Sequence, residues 1–191
     1  MLEKVINQPS KKVYFTVNNL FYQNSTIPYS NDLVFFGNME NQVDFNIIFT
    51  NITFSNLIFE RGGNMLYFQQ QLKNPISFQN IFFSNITGGS ITIESANKQR
   101  LDLPTKVVFQ NLTANLLNGV YYSFINVLTG GVLEITDSSF ANIFNAQSGA
   151  VVYAGYMNSS TTINNSVFVN NTSLKGGVFN IEYNSVIVLN N

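Results

Sequence analysis

The chain has 191 residues, of which 45% are hydrophobic and only 10% charged, and its net charge is −1. Such a weak field neither draws in nucleic acid nor binds an anionic bilayer. Cysteine and histidine are both absent, which excludes disulfides, thiolate and imidazole metal sites, Cys nucleophiles and every Ser-His triad.

The opening stretch, MLEKVINQPSKKVYF, holds no apolar run long enough for a signal peptide. Residues 1–12 read as a lead-in to a body spanning 13–191. No Gly/Ser tract, proline cluster or charge block divides that body, so one domain is expected. Asn, with 30 copies, and Phe, with 18, dominate it.

From Val13 onward a motif recurs. Aromatic anchors stand at Tyr22, Phe54, Phe83, Phe109, Phe140 and Phe168, spaced by 32, 29, 26, 31 and 28 residues. Two positions after each stands an Asn: Asn24, Asn56, Asn85, Asn111, Asn142 and Asn170. Three positions before the anchor are Asn19, Asn51, Asn80, Asp137 and Asn165, with Lys106 the exception in the fourth repeat. Five before it are Val17, Phe49, Phe78, Ile135 and Ile163, each followed by a polar residue. Alternation of this kind marks a strand with one buried face, and its slip by one residue before the anchor marks a bend.

A third strand is expected after each Asn, led by Gly62-Gly63, Gly88-Gly89, Gly119, Gly149 or Gly176-Gly177, where glycine permits positive φ or close backbone approach. Three strands per repeat of roughly 29 residues predict an all-β solenoid of about six coils, near 29 Å long at ~4.8 Å per stacked strand. Asn suits the bends because it tolerates the left-handed conformation, and stacked copies can bond amide to amide as a structural ladder.

The run φ-x-φ-x-[N/D]-[S/I]-x-F-x-N followed by Gly-Gly-φ, as in FVNN and GGVFNIEY, resembles the single-stranded right-handed parallel β-helix of the pectin-lyase-like superfamily. More narrowly it is similar to the repeats of polymorphic outer-membrane proteins and of large ciliate surface proteins. The fourth repeat departs from the pattern at Pro104 and Lys106. The last residues, IVLNN, match the start of another repeat, so the expectation is a stack continued by further repeats or by an identical chain, because a bare strand edge invites pairing.

Candidate chemistry is sparse. Glu94 and Glu182 occupy matching places after their glycines but lie three coils apart, about 14 Å, beyond the roughly 5–9.5 Å of paired glycosidase carboxylates. The charged stretch ESANKQRLDLPTK offers Glu94, Lys98, Arg100, Asp102 and Lys106 as a candidate binding loop. Asp137 reads as a bend residue, and Thr161-Thr162 is not repeated on neighbouring coils, which argues against ice binding. No catalytic residue, metal site or cofactor is assigned.

Eight Asn-x-Ser/Thr sequons occur, of which Asn158 and Asn164 are the glycosylation candidates; Asn24, Asn85, Asn111 and Asn170 fall at the bends. The expectation is an extracellular or cell-surface segment of a longer chain, acting as a non-catalytic scaffold with an adhesive role. Its partners would be further repeats, a carbohydrate or another surface protein, with no nucleic acid and no membrane insertion. The alternative is a carbohydrate-active enzyme or carbohydrate-binding module, since a fold does not fix an activity; a groove lined by exposed Tyr and acidic residues would favour it.

Overall fold

The computed structural model describes residues 12–28, 32–37, 44–69, 74–95, 104–119 and 123–191. Fourteen strands join one parallel sheet, and the described residues contain no helix. They are β1 (Lys12–Ile27), β2 (Val34–Gly37), β3 (Asp44–Gln69), β4 (Ile76–Glu94), β5 (Thr105–Gly119), β6 (Ile125–Val127) and β7 (Gly131–Thr136), followed by β8 (Ser139–Ser148), β9 (Val152–Ala154), β10 (Ser160–Asn164), β11 (Val167–Val169), β12 (Thr172–Lys175), β13 (Phe179–Ile181) and β14 (Val186–Asn190).

These strands coil into a parallel β-solenoid. Its rungs are β1–β2, then β3, β4, β5–β6, β7–β9 and β10–β13, and β14 starts another on top of β10. One core column climbs the first face through Val17, Phe49, Phe78, Phe109, Ile135, Ile163 and Leu189.

The unit beneath the repeat is five residues long. In the second rung Ile47, Phe49, Ile52, Phe54, Leu57 and Phe59 are buried, while Asn51 and Asn56 between these pairs have φ of 56° and 53°. One left-handed residue turns the strand and uses up one position, so inward alternation restarts on the next residue. The sequence φ-x-φ-x-Asn thus bends the chain every five residues without a loop. Two such corners per rung leave a short segment after the second Asn, such as Leu57–Phe59, paired with Ile86 and Thr87 of the next rung. Each rung therefore has four straight stretches, one more than the alternation suggests.

The fourth rung corrects the sequence register. Phe78 stands beside Phe109, and Phe83 beside Ala114, so the anchor of this rung is Ala114. Asn111 belongs to the first corner, with φ 57°, and its Nδ2 donates to Asn80 Oδ1 at 2.7 Å. The first ladder is then Asn19, Asn51, Asn80, Asn111, Asp137 and Asn165, every member in the left-handed region. Leu116 fills the second corner of that rung, also left-handed at φ 55° and 56% exposed. The second ladder runs Asn24, Asn56 and Asn85, is broken by Leu116, and resumes when Asn142 Nδ2 reaches Asn115 Oδ1 at 2.9 Å and Asn170 reaches Asn142 at 3.4 Å.

Small Ala114 would leave a hole between Phe83 and Phe140. Phe124 fills it from the opposite wall, edge-on to both rings at centroid distances of 5.2 and 6.4 Å. Elsewhere like stacks on like: Phe49 on Phe78 at 4.6 Å, Phe54 on Phe83 at 5.1 Å, and Phe140 on Phe168 at 5.0 Å, all within 8° of parallel. Offset stacks of this kind add to the gain from burial.

Glycine opens the last face of several rungs. At Gly88, φ is +81° and a Cβ would lie 2.4 Å from the carbonyl oxygen of Phe59, so both reasons for glycine apply there. Gly119 plays a different part from the one its sequence position suggests: it ends β5 opposite Asn145, whereas the strand of the last face in this rung is β6, beginning at Ile125.

Candidate functional site

Among the described residues, four of the six tyrosines, Tyr67, Tyr153, Tyr156 and Tyr183, lie on or beside the last face of the solenoid. Strand register sets Tyr67, Thr92, Asn126, Tyr153 and Asn180 side by side on five successive rungs. A groove of about 520 Å³ runs along the first four of these, Tyr67 to Tyr153, and is lined also by Asn64, Ser123, Gln147, Tyr156 and Glu182.

One device occurs at both ends of the row. Tyr67 Oη donates to Glu94 Oε1, which also accepts Gln69 Nε2 at 2.8 Å. Tyr153 Oη donates to Glu182 Oε2 at 3.0 Å, and Asn180 Nδ2 donates to Glu182 Oε1 at 3.1 Å. In each case the phenol reaches a carboxylate one rung on and two residues further along. At the second copy Gly155 leaves the space: a Cβ there would sit 2.3 Å from Tyr153 Oη.

Both phenols are held well above their ordinary pKa, first by burial and then by the carboxylate that accepts their proton. They are therefore fixed donors at neutral pH and poor bases. Beside Tyr153, Tyr156 and Tyr183 stack at 5.8 Å and 15°, exposed by 52% and 75%. Both are left-handed, with φ 69° and 56°, which is uncommon for a bulky residue.

Each carboxylate has its proton-bearing partner, and the two stand three rungs apart, about 14 Å. That spacing suits neither glycosidase geometry, nor a shared proton. Among the described residues no three Asp or Glu gather in one place. The arrangement is one of fixed donors, acceptors and flat rings, which can hold a ligand in register.

The candidate loop is only partly described. Lys98, Arg100 and Asp102 lie outside the described residues. Its two ends do not converge: Glu94 is buried under Tyr67 on the last face, whereas Lys106 lies on the first face, where its Nζ pairs with Glu134 at 2.8 Å. Asn158 is exposed in the turn between β9 and β10 at φ 59°. Asn164 closes β10, and its Oδ1 accepts Asn190 Nδ2 at 2.8 Å, tying it into the stack.

Tyr67, Tyr153, Tyr156 and Tyr183 were not singled out from the sequence, although a signal for the first pair was there. Tyr67 and Tyr153 each follow a glycine by four positions, Gly63 and Gly149; Glu94 and Glu182 follow Gly89 and Gly177 by five. Each tyrosine rung is thus succeeded by a glutamate rung. Comparison with protein-family models, with curated proteins and with solved structures found no match to this chain.

Proposed function

We propose that this chain is a structural segment of a larger cell-surface or secreted protein, a stiff spacer that displays its faces and loops to partners. The observation that carries the reading is the uninterrupted series of left-handed corners at the first bend, from Asn19 to Asn165, each rung resting on the one before. Such a stack keeps its backbone while loops between rungs vary in length, which suits a display scaffold. Further repeats, or an identical chain, are the partners this reading expects, because parallel strands add edge to edge. The resemblance of the repeat to pectin-lyase-like and polymorphic outer-membrane-protein repeats supports the same reading, and sequons such as exposed Asn158 suit a secreted protein. An antibody raised against residues 44–191 and applied to intact, unpermeabilised cells that express the protein naturally tests it. Surface staining is expected; staining only after permeabilisation contradicts it.

A second reading, a carbohydrate-binding module, is favoured by one observation: the groove joins Tyr67, Tyr153 and Tyr156 to Glu182 along a rigid face. The scaffold and binding roles are compatible, since the stack itself fixes the spacing of the groove residues.

A further inference from the structure

The fold explains most residues of the last face, but it does not explain Tyr156 and Tyr183. A left-handed corner is served at least strain by Gly or Asn, the choice made at most other bends of this chain. Two stacked tyrosines at such positions are disfavoured by the backbone and, being exposed, gain little from burial. Tyr156 lines the groove beside Tyr153, Asn126 and Glu182, and Tyr183 is stacked against it.

We propose that this groove binds a neutral, hydroxyl-rich oligosaccharide, with Tyr156, backed by Tyr183, as the ring on which a sugar unit stacks. The inference rests on the carbohydrate-binding reading and narrows it. A flat ring meets the C–H face of a sugar ring, while Thr92 and Asn126, side by side on adjacent rungs, and Gln147 give the groove a polar lining. From the rung of Tyr67 to that of Asn180 is four steps, about 19 Å, room for a few sugar units. Charge selects the class. Among the described residues the groove lining holds one carboxylate, Glu182, with Glu94 and Asp32 bonded to the lining residues Tyr67 and Asn64, and no Lys or Arg. A uronate, sulfate or phosphate polymer would face these carboxylates with no described cation to anchor it.

The test is calorimetric titration of the full chain with neutral hexasaccharides of β-linked glucose, xylose and N-acetylglucosamine, and with hexagalacturonate for comparison. At least one neutral hexamer is expected to bind, and hexagalacturonate to bind at least tenfold more weakly. Tyr156→Gly and Tyr183→Gly should each weaken binding by about tenfold, while urea unfolding shows a midpoint unchanged or raised, because glycine relieves the backbone. Absence of binding by all three neutral hexamers overturns the proposal, as does binding that survives both substitutions. Preference for hexagalacturonate also overturns it, yet leaves the broader carbohydrate-binding reading standing. None of these results bears on surface exposure, which the antibody experiment decides separately.

Discussion

The second and third rungs differ from the fifth and sixth in what fills the same backbone. In the former, the residues that follow the first corner and point inward are Ile52 and Ile81, each 1% exposed. In the latter the same places hold Ser138 and Ser166. Ser138 Oγ donates to the carbonyl of Thr136 at 2.9 Å and accepts the amide of Leu112 at 3.1 Å; Ser166 Oγ donates to Asn164 O at 2.8 Å and accepts the amide of Ser138 at 3.2 Å. Likewise Asn171 replaces Leu57 and Ile86 after the second corner, accepting the amide of Ile143 at 3.0 Å and donating to Phe140 O at 2.9 Å. The difference teaches that the left-handed corner is the fixed element. At these places the polar side chains sit inside with their atoms bonded to the backbone.

The largest expected effect contrasts two members of one column. Phe83→Ala, at a fully buried ring stacked on Phe54 and edge-on to Phe124, should cost about 3–5 kcal/mol in urea unfolding. Phe168→Ala, in the more open sixth rung, should cost no more than about half that. Equal losses would mean that the rungs are not graded in burial.

Next comes the hole that Phe124 fills. Ala114→Phe restores the column motif but collides with the ring already there, and should destabilise by about 1–3 kcal/mol. Combined with Phe124→Ala, it should give a protein more stable than Phe124→Ala alone, a coupling readable in a double-mutant cycle.

Leu116→Asn sharpens the role of the corner itself. The change removes an exposed leucine from the left-handed region and should raise stability by about 1–2 kcal/mol, measured by the same unfolding curves. A loss would show that corner identity matters less than the contacts around it.

Smaller still is Thr161→Val. Among the described side chains, the buried hydroxyl of Thr161 has no partner, and it stands between Leu133 and Ile187 in a column of aliphatic residues. Removing it should stabilise by about 1 kcal/mol. The contrast with Ser138 and Ser166, whose hydroxyls are bonded, is the point of the experiment: Ser138→Ala should destabilise.

The smallest effect is a pH dependence seen only in alkali. Tyr67 and Tyr153 keep their protons in the folded state at a pH where an unfolded tyrosine, with pKa about 10, has begun to lose its own. Their contribution is therefore complete below about pH 10 and falls as pH rises from there towards the raised folded values. Tyr67→Phe with Tyr153→Phe should flatten the alkaline fall of the unfolding midpoint.

Much of this was legible in the sequence. Alternation, the parity slip and the recurrent Asn point to bent parallel strands, and the matched places of Glu94 and Glu182 reappear at equivalent positions on the last face. The register of the fourth rung was not legible, for a physical reason. With a five-residue unit, Phe-x-Asn occurs at both corners, as Phe78-Gln79-Asn80 and as Phe83-Ser84-Asn85. A slip of five residues therefore preserves the pattern, and Phe109-Gln110-Asn111 fits either corner. Only packing separates the two, because Phe124 compensates for Ala114 from the opposite wall of the same rung. The tyrosine groove was hidden similarly: its members belong to five rungs, and only the register brings them together.

The register of that fourth rung is the most exposed part of the account, and disulfide trapping tests it directly in a chain that has no cysteine of its own. Gln79 and Gln110 are exposed partners on adjacent parallel strands, at a spacing of about 4.8 Å that a disulfide can bridge. Gln79→Cys with Gln110→Cys should oxidise fully to an intramolecular bond, whereas Ser84→Cys with Gln110→Cys, the pair demanded by the slipped register, should remain reduced. Closure of the second pair in preference to the first would contradict the stacking described.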